Sequence, residues 1–461
     1  MTDVLLARAP KKTTPITLLT EDDFKGWLKR QPVRVKNWIE AHGFTAKPGS
    51  FSVLADASGK PSRIVAGISV SPSLWDLGDF SKRLPEGVYS LEWDGPLAFH
   101  EWLALGWQLG AYQFTRYKKS DKTPGAKLAI TTGSDFAKIK RYASAINHAR
   151  DIINTPAEDM GPQELAASIV AIGKKYKAKV SQIVGNDLLK KNYPAIHTVG
   201  RASSRPPRLV DLTWGNPKHP RIVLVGKGVC FDTGGLDLKP SSAMYLMKKD
   251  MSGAACALAV AQMIMDSKLP VSLRLLVPAV ENSVSGNAFR PTDIIKMRKG
   301  LTVEVGNTDA EGRLILADAL AEACTQKNDL VIDFSTLTGA ARTAVGTEIS
   351  ALFCNDDKIA DVLVQAGRDM EDPIWRLPLH APYKRMLDSA IADLNSAPNS
   401  PYAGAITAAL FLENFVPAKQ PWVHLDFMAW NSSSKPGRPE GAEAMTVRAA
   451  YRLIEQRVRR A

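Results

Sequence analysis

Residues 221–280, RIVLVGKGVCFDTGGLDLKPSSAMYLMKKDMSGAACALAVAQMIMDSKLPVSLRLLVPAV, decide the fold class. The β-branched run Arg221 to Val225 reads as a strand, Gly253 to Asp266 as a helix and Leu273 to Val280 as a second strand. The apolar segment Ala254 to Met265 is interrupted by Gln262 and falls short of the ~18 residues a membrane span requires, so it reads as a buried helix. The alternation continues downstream with Val303 to Val305 as strand, Ala310 to Gln326 as helix and Leu330 to Ser335 as strand. Such βαβ repetition implies an α/β fold with a mostly parallel central sheet flanked by helices. Sites in open sheets of this kind lie beyond the carboxyl ends of the strands.

Upstream of this core, residues 1–125 mix short apolar runs with turn signals, Lys47-Pro48-Gly49-Ser50 and Lys122-Thr123-Pro124-Gly125. They form a small α/β pattern rich in tryptophan and carry no chemical motif. Ala137 to Ile153 reads as a helix ended by Asn154-Thr155-Pro156, because the residue before proline is pushed out of helical geometry. The expected organisation is an N-terminal α/β domain over 1–125, a linker and connecting helix over 126–155, and a larger C-terminal domain over 156–461. At roughly 150 residues per domain, the length allows two or three domains, and two is the reading adopted.

An apolar fraction of 45% and a charged fraction of 23% are those of an ordinary globular protein. Cys230, Cys256, Cys324 and Cys354 show no CxxC spacing, which points to a reduced, cytoplasmic setting. The opening MTDVLLARAPKKTTPITLLTEDD turns charged too early for a signal peptide, and no membrane span is expected. Lys and Arg total 59 against 47 Asp and Glu, a net charge of +12, with part of the excess at Lys118, Lys119, Lys122 and Lys127. Without an accompanying motif this reads first as a solvated basic face and only second as a DNA-binding surface.

Chemistry concentrates in two clusters. The first runs Lys227-Gly228 to Asp232-Thr233-Gly234-Gly235, then Lys239-Pro240 and Met247-Lys248-Lys249-Asp250. It lacks the GxxxxGK[ST] spacing of a phosphate loop, and its glycines instead let backbone approach a crowded site on which Asp232 and Asp250 converge. The second is Asn307-Thr308-Asp309-Ala310-Glu311-Gly312-Arg313-Leu314, at a strand-to-helix junction. Taken alone, Thr308 and Glu311 make a capping box, but capping explains neither Asp309 nor the upstream cluster. Four acids at strand ends, with no histidine nearby in sequence, describe an oxygen-rich site suited to two divalent ions.

NTDAEGRL at residues 307–314 resembles the signature of the leucyl aminopeptidase family, the M17 metallopeptidases or cytosol aminopeptidases. GKGVCFDTGGLDLKP, MKKDMSGAA, INTPAEDMGP, NAFRPTD, STLTGA and GAITAALFLENFV resemble the same family, so the likeness covers about residues 140–461. The resemblance implies a metal-dependent aminopeptidase that releases N-terminal amino acids from peptides with a free N-terminus. It makes Lys227, Asp232, Asp250, Asp309 and Glu311 ligands of two divalent ions, Mn or Zn and alternatively Mg or Co. Asp232 and Glu311 would bridge the ions, Asp309 would serve one, and Lys227 and Asp250 the other. Lys239 would steady the oxyanion and Arg313 would hold a bicarbonate ion acting as general base. Met247, Thr336, Leu337 and Gly339 would line the pocket for the first side chain, and the assembly would be a homohexamer. Ser252 stands where many members have glycine, and Gly441-Ala442-Glu443-Ala444-Met445 departs from the usual glycine-rich ending. Both departures spare the metal-site residues and bear on the shape of the substrate pocket.

Two other readings stand beside this one. A different two-metal hydrolase, such as a phosphatase, would be expected to add histidines, yet His42, His100, His148, His197, His219, His380 and His424 do not flank the motifs. A DNA-binding role for residues 1–125 would show as salt-dependent duplex binding.

Overall fold

The computed structural model describes residues 3–119 and 124–459, so Lys122 and Thr123 of the second turn signal lie outside the described residues. The chain divides into two compact units, residues 1–147 with 431–441, and residues 148–430 with 442–461. It passes from the first unit to the second within the helix Phe136–Asn154, one residue longer at each end than the sequence pattern indicates.

The first unit holds a six-stranded sheet. Its strands are β1 (Leu5–Leu6), β2 (Thr14–Leu19), β3 (Phe51–Ala55), β4 (Pro61–Gly67), β5 (Gly87–Glu92) and β6 (Ala126–Ala129), in the order β1-β6-β5-β2-β4-β3. All pairings are parallel except β3 with β4. The return of residues 431–441 rests on close backbone approach. A Cβ on Gly78 would stand 2.7 Å from the Pro436 carbonyl carbon, and the Arg438 guanidinium lies 4.7 Å from the Trp75 ring centroid.

The second unit is built on a nine-stranded sheet. Its strands are β7 (Lys179–Val184), β8 (Arg208–Gly215), β9 (Arg221–Gly226), β10 (Gly228–Asp232), β11 (Ser272–Asn282), β14 (Leu330–Ser335), β15 (Ser350–Cys354), β16 (Ile374–Arg376) and β18 (Trp422–Asp426). Between them in sequence come β12 (Ile294–Lys296), β13 (Thr302–Glu304) and β17 (Leu394–Asn395). The order is β16-β15-β18-β14-β9-β11-β8-β7, with β10 extending beside β11. The centre, β18-β14-β9-β11, is parallel throughout, while β8 runs antiparallel to β7 and β11, and β15 antiparallel to β18. The strand expected at Val303 to Val305 forms as β13, but in a separate three-stranded sheet with β12 and β17.

Helices cover both faces of the parallel centre. Val223, Val225, Leu276 and Val331 share a core with Leu314, Ile315 and Leu320 of the helix Glu311–Ala323. Gly226 has the opposite parity on β9, and a Cβ there would lie 2.5 Å from the Ala254 Cα, so the helix Ser252–Asp266 packs on the other face. Fourteen of that helix's residues are buried, Ser252 through Met265, as expected of a segment apolar all round. The four cysteines are free thiols.

Candidate metal centre

Lys227 follows the last residue of β9, Asp232 ends β10, Thr336 follows β14 and Asp426 ends β18, so the site forms at the carboxyl edge of the sheet. Parallel register sets Gly226 opposite Phe334 and Ser335 opposite Asp426. The Lys227 backbone is pinned on both sides, its N–H donating to Phe334 O at 3.0 Å and its carbonyl accepting from Ala254 N at 2.9 Å.

The glycine-rich loop is shaped by Gly234 and Gly235, whose φ of +89° and +68° lie in the left-handed region that favours glycine. Thr308 ties this loop to the second cluster. Its hydroxyl donates to Gly234 O at 2.6 Å and accepts from Asp237 N at 2.8 Å, while its own N–H donates to Asp237 Oδ2 at 2.7 Å. The Thr308/Glu311 capping box therefore does not form. Asn307 is the cap, accepting from Asp309 N at 2.7 Å over a 3₁₀ turn, Thr308–Ala310, and Glu311 is released into the site.

Asp232, Asp309 and Glu311 each bring an oxygen within 4.8 Å of the others. Asp250 joins through Lys227, whose Nζ lies 2.9 Å from Asp250 Oδ2 and 2.9 Å from Glu311 Oε1. A second lysine, Lys239, pairs with Asp232 Oδ2 at 2.8 Å and with Asp309. Outer partners fix the carboxylates. Asn282 Nδ2 and Gly234 N both donate to Asp232 Oδ1 at 2.9 Å, and the Thr336 hydroxyl donates to Asp250 Oδ1 at 2.7 Å. Lys227 also donates to Thr336 O at 3.1 Å.

The electrostatics are those of crowded acids. Burial, then the charge of Asp232, raises the Asp309 carboxyl to about 6. The same two causes hold Glu311 well above the usual carboxylate range. Burial would lower the ammonium of Lys227, but Asp250, Glu311 and Asp232 outweigh it and hold the group above the ordinary lysine range. Arg313 is buried rather than facing solvent. Its guanidinium donates to Ser396 O at 2.7 Å, and burial draws its pKa down to about 10.

A cavity of about 510 Å³ opens onto this cluster and is lined by Lys227, Asp232, Lys239, Asp250 and Asp309. Met247, Thr336, Leu337 and Gly339 line it as well, whereas Glu311 and Arg313 do not reach its surface. Of the five acids and lysines expected as ligands, all five are therefore brought into one network. Asn282, Ser396 and Asp426, which lie in no quoted motif, also support it, as does Thr308 of the second cluster.

The sequence profile of the cytosol aminopeptidase family, catalytic domain, matches residues 147–451, and that of the M17 aminopeptidase N-terminal domain matches residues 14–131. The chain belongs to the cytosol aminopeptidase family. It is similar to a probable cytosol aminopeptidase of Syntrophotalea carbinolica, 38% identical over 371 residues, covering 77% of this chain and 74% of the relative. It is also similar to peptidase B of Photorhabdus laumondii, 44% identical over 319 residues, covering 67% and 74%. Among solved structures, a 1.8 Å crystal structure of cytosol aminopeptidase from Coxiella burnetii matches with a TM-score of 0.96 at 46% identity, covering 99% of this chain and all of that one. The bottromycin maturation enzyme BotP in complex with Mn matches with a TM-score of 0.88 at 30% identity, covering 96% and 99%. As a member of the M17 family the protein is a metal-dependent aminopeptidase, a hydrolase acting on peptides. Among the described residues no helix is long and apolar enough to cross a membrane.

Proposed function

We propose that the protein releases N-terminal amino acids from peptides through two divalent ions held by Lys227, Asp232, Asp250, Asp309 and Glu311. One observation carries the reading. Asp250 Oδ2, Asp309 Oδ1 and Glu311 Oε1 are buried oxygens without a well-aligned hydrogen-bond donor, although Lys227 and Lys239 stand within ion-pair distance of them. Acceptor-only atoms crowded together in this way fit cations placed among them. As a ligand Lys227 would be the neutral amine, and the Thr336 carbonyl is placed to accept a hydrogen bond from one of its N–H groups.

Bound divalent ions supply Lewis acidity, lowering the pKa of a water and polarising a carbonyl. The chain's own residues do the rest. Lys239, at the cavity wall, would take up charge developing on the scissile carbonyl oxygen. Arg313 would hold bicarbonate as the general base. Its Nε is buried without an acceptor, and a planar anion matches a guanidinium fork. Met247, Thr336, Leu337 and Gly339 would shape the pocket for the first side chain. The free α-amine of the substrate would be recognised at the acid cluster, which confines cleavage to the first bond.

The Mn named with BotP and the carboxylate-rich donor set favour Mn, with Zn next and Mg or Co as alternatives. A homohexamer, a cytoplasmic location and a domain division near residues 125 and 155 complete the reading. Hydrolysis of leucyl p-nitroanilide and its N-acetyl derivative tests it. Cleavage of the free-amine substrate alone, lost on chelation and restored by Mn, is the expected result. Equal rates on both substrates would refute the exopeptidase assignment.

A further inference from the structure

The first unit carries a cavity of its own, about 570 Å³, and none of the metal-centre residues. It lies between the end of the helix Val33–Ala41 and the strand β3. Trp38 and His42 line it with ring centroids 4.1 Å apart, and Trp38 is 43% exposed. Phe44 lines it too, and Lys47 brings a cation that, among the described residues, has no acid within ion-pair distance.

β3 is an edge strand, and its register decides which backbone groups are left over. It pairs with β4 alone, Phe51 opposite Ala66 and Ser52 opposite Val65. Gly67 N donates to Ser50 O at 2.9 Å, which makes Phe51 and Ala66 a non-hydrogen-bonded pair of the antiparallel ladder. Ser52 therefore bonds to β4, while Phe51 and Val53 turn their N–H and C=O groups to the open edge. Arg34 Nη2 closes the far end by donating to Ala55 O at 3.1 Å, but among the described residues nothing meets the groups of Phe51 and Val53. An edge is usually blunted by shortness, charge, proline or a bulge. The opposite edge, β1, is two residues long, whereas β3 has five without a charge or a proline, and its bulge comes only after Leu54. The cavity has one more orphan. Ser52, which lines it, is 6% exposed, and its Oγ is buried without a hydrogen-bond partner.

We propose that β3 binds an extended peptide segment as an added strand, with a tyrosine of that segment in the cavity and an acidic residue beside Lys47. The backbone of Phe51 and Val53 gives the affinity and the cavity gives the specificity, the division usual in strand addition. A tyrosine ring packs beside Trp38, His42 and Phe44, and its hydroxyl meets Ser52 Oγ, satisfying both polar ends. Lys47 selects an anionic neighbour by charge.

The test uses the full chain loaded with Mn and the peptide Ac-Glu-Val-Tyr-Val-Glu, labelled with fluorescein at its C-terminus and read by fluorescence anisotropy. Acetylation keeps the peptide from cleavage at the metal centre. Binding should be saturable. N-methylation of the peptide amides, one at a time, should weaken it at alternate residues only, because an added strand turns every second N–H toward β3. Val53→Pro removes an outward N–H and no ladder bond, and should weaken binding by ~10-fold. Trp38→Ala should weaken it by ~2- to 10-fold. Tyrosine-to-phenylalanine exchange in the peptide should cost ~2- to 10-fold with the parent and nothing with Ser52→Ala. Leucyl p-nitroanilide turnover should stay parental in all three variants, which also shows that they fold. Absence of saturable binding, or N-methyl effects without alternation, would overturn the added strand. Loss of binding in Glu311→Gln would overturn it by placing the peptide at the metal centre. A changed assembly mass of Val53→Pro in light scattering would overturn it by giving the edge to another copy of the chain.

Discussion

Replacing Gly312 by alanine adds one methyl group where the helix Glu311–Ala323 passes the Lys227 side chain. A Cβ at that position would lie 2.5 Å from Lys227 Nζ and 2.8 Å from its Cδ, against an ordinary contact of at least 3.4 Å. Nζ must therefore retreat by about 1 Å from the position in which Asp250, Glu311 and Thr336 hold it. Misplacement on that scale at a reacting centre costs ~10²-fold in rate. Stability responds in two opposed ways. Alanine gains ~1 kcal/mol of helix propensity over glycine, while overpacking costs ~1–3 kcal/mol. The net change is small, so Gly312→Ala should melt within a few degrees of the parent while kcat/KM on leucyl p-nitroanilide falls by ~10²-fold. Metal content measured on the same samples separates a displaced ligand from a lost ion. Parental kcat/KM with parental metal content would refute the claim that Lys227 must occupy this position.

Asp309→Asn should cost turnover more than the ~10- to 100-fold typical of losing an outer-shell partner, with circular dichroism unchanged. Lys239→Ala should lower kcat by ~10²- to 10³-fold and leave KM nearly constant, because an oxyanion contact strengthens only as charge develops. A purely raised KM would make Lys239 a substrate clamp. Arg313→Ala should keep its metals and lose ~10²- to 10⁴-fold, with bicarbonate stimulating the parent and not the variant. Full activity of that variant at every bicarbonate level would return Arg313 to a structural role at Ser396.

The sequence pattern locates the parallel centre well because strands buried on both faces read as continuous apolar runs. Leu330–Ser335 forms as expected, and Arg221 and Asp266 bound their elements as the pattern indicates. The antiparallel strands β8 and β15 were not read, since pairing direction depends on partners far away in sequence. The return of residues 431–441 to the first unit left no local signal either, because it depends on glycines 78 and 437 meeting across the chain. At the site, the acids and lysines were legible as motifs. Their supports were not: Asn282 lies in no motif, and Thr308 looks like a cap until the loop it ties is seen.

The central claim is that this acid cluster holds two catalytic ions, and elemental analysis of the purified protein, read against leucyl p-nitroanilide turnover as Mn is added back after chelation, tests it most directly. Activity should rise with ion content to two ions per chain, and Glu311→Gln, which removes the charge of a proposed ligand, should bind fewer ions and stay inactive. Full turnover with one ion per chain or none, or parental ion content and activity in Glu311→Gln, would contradict it.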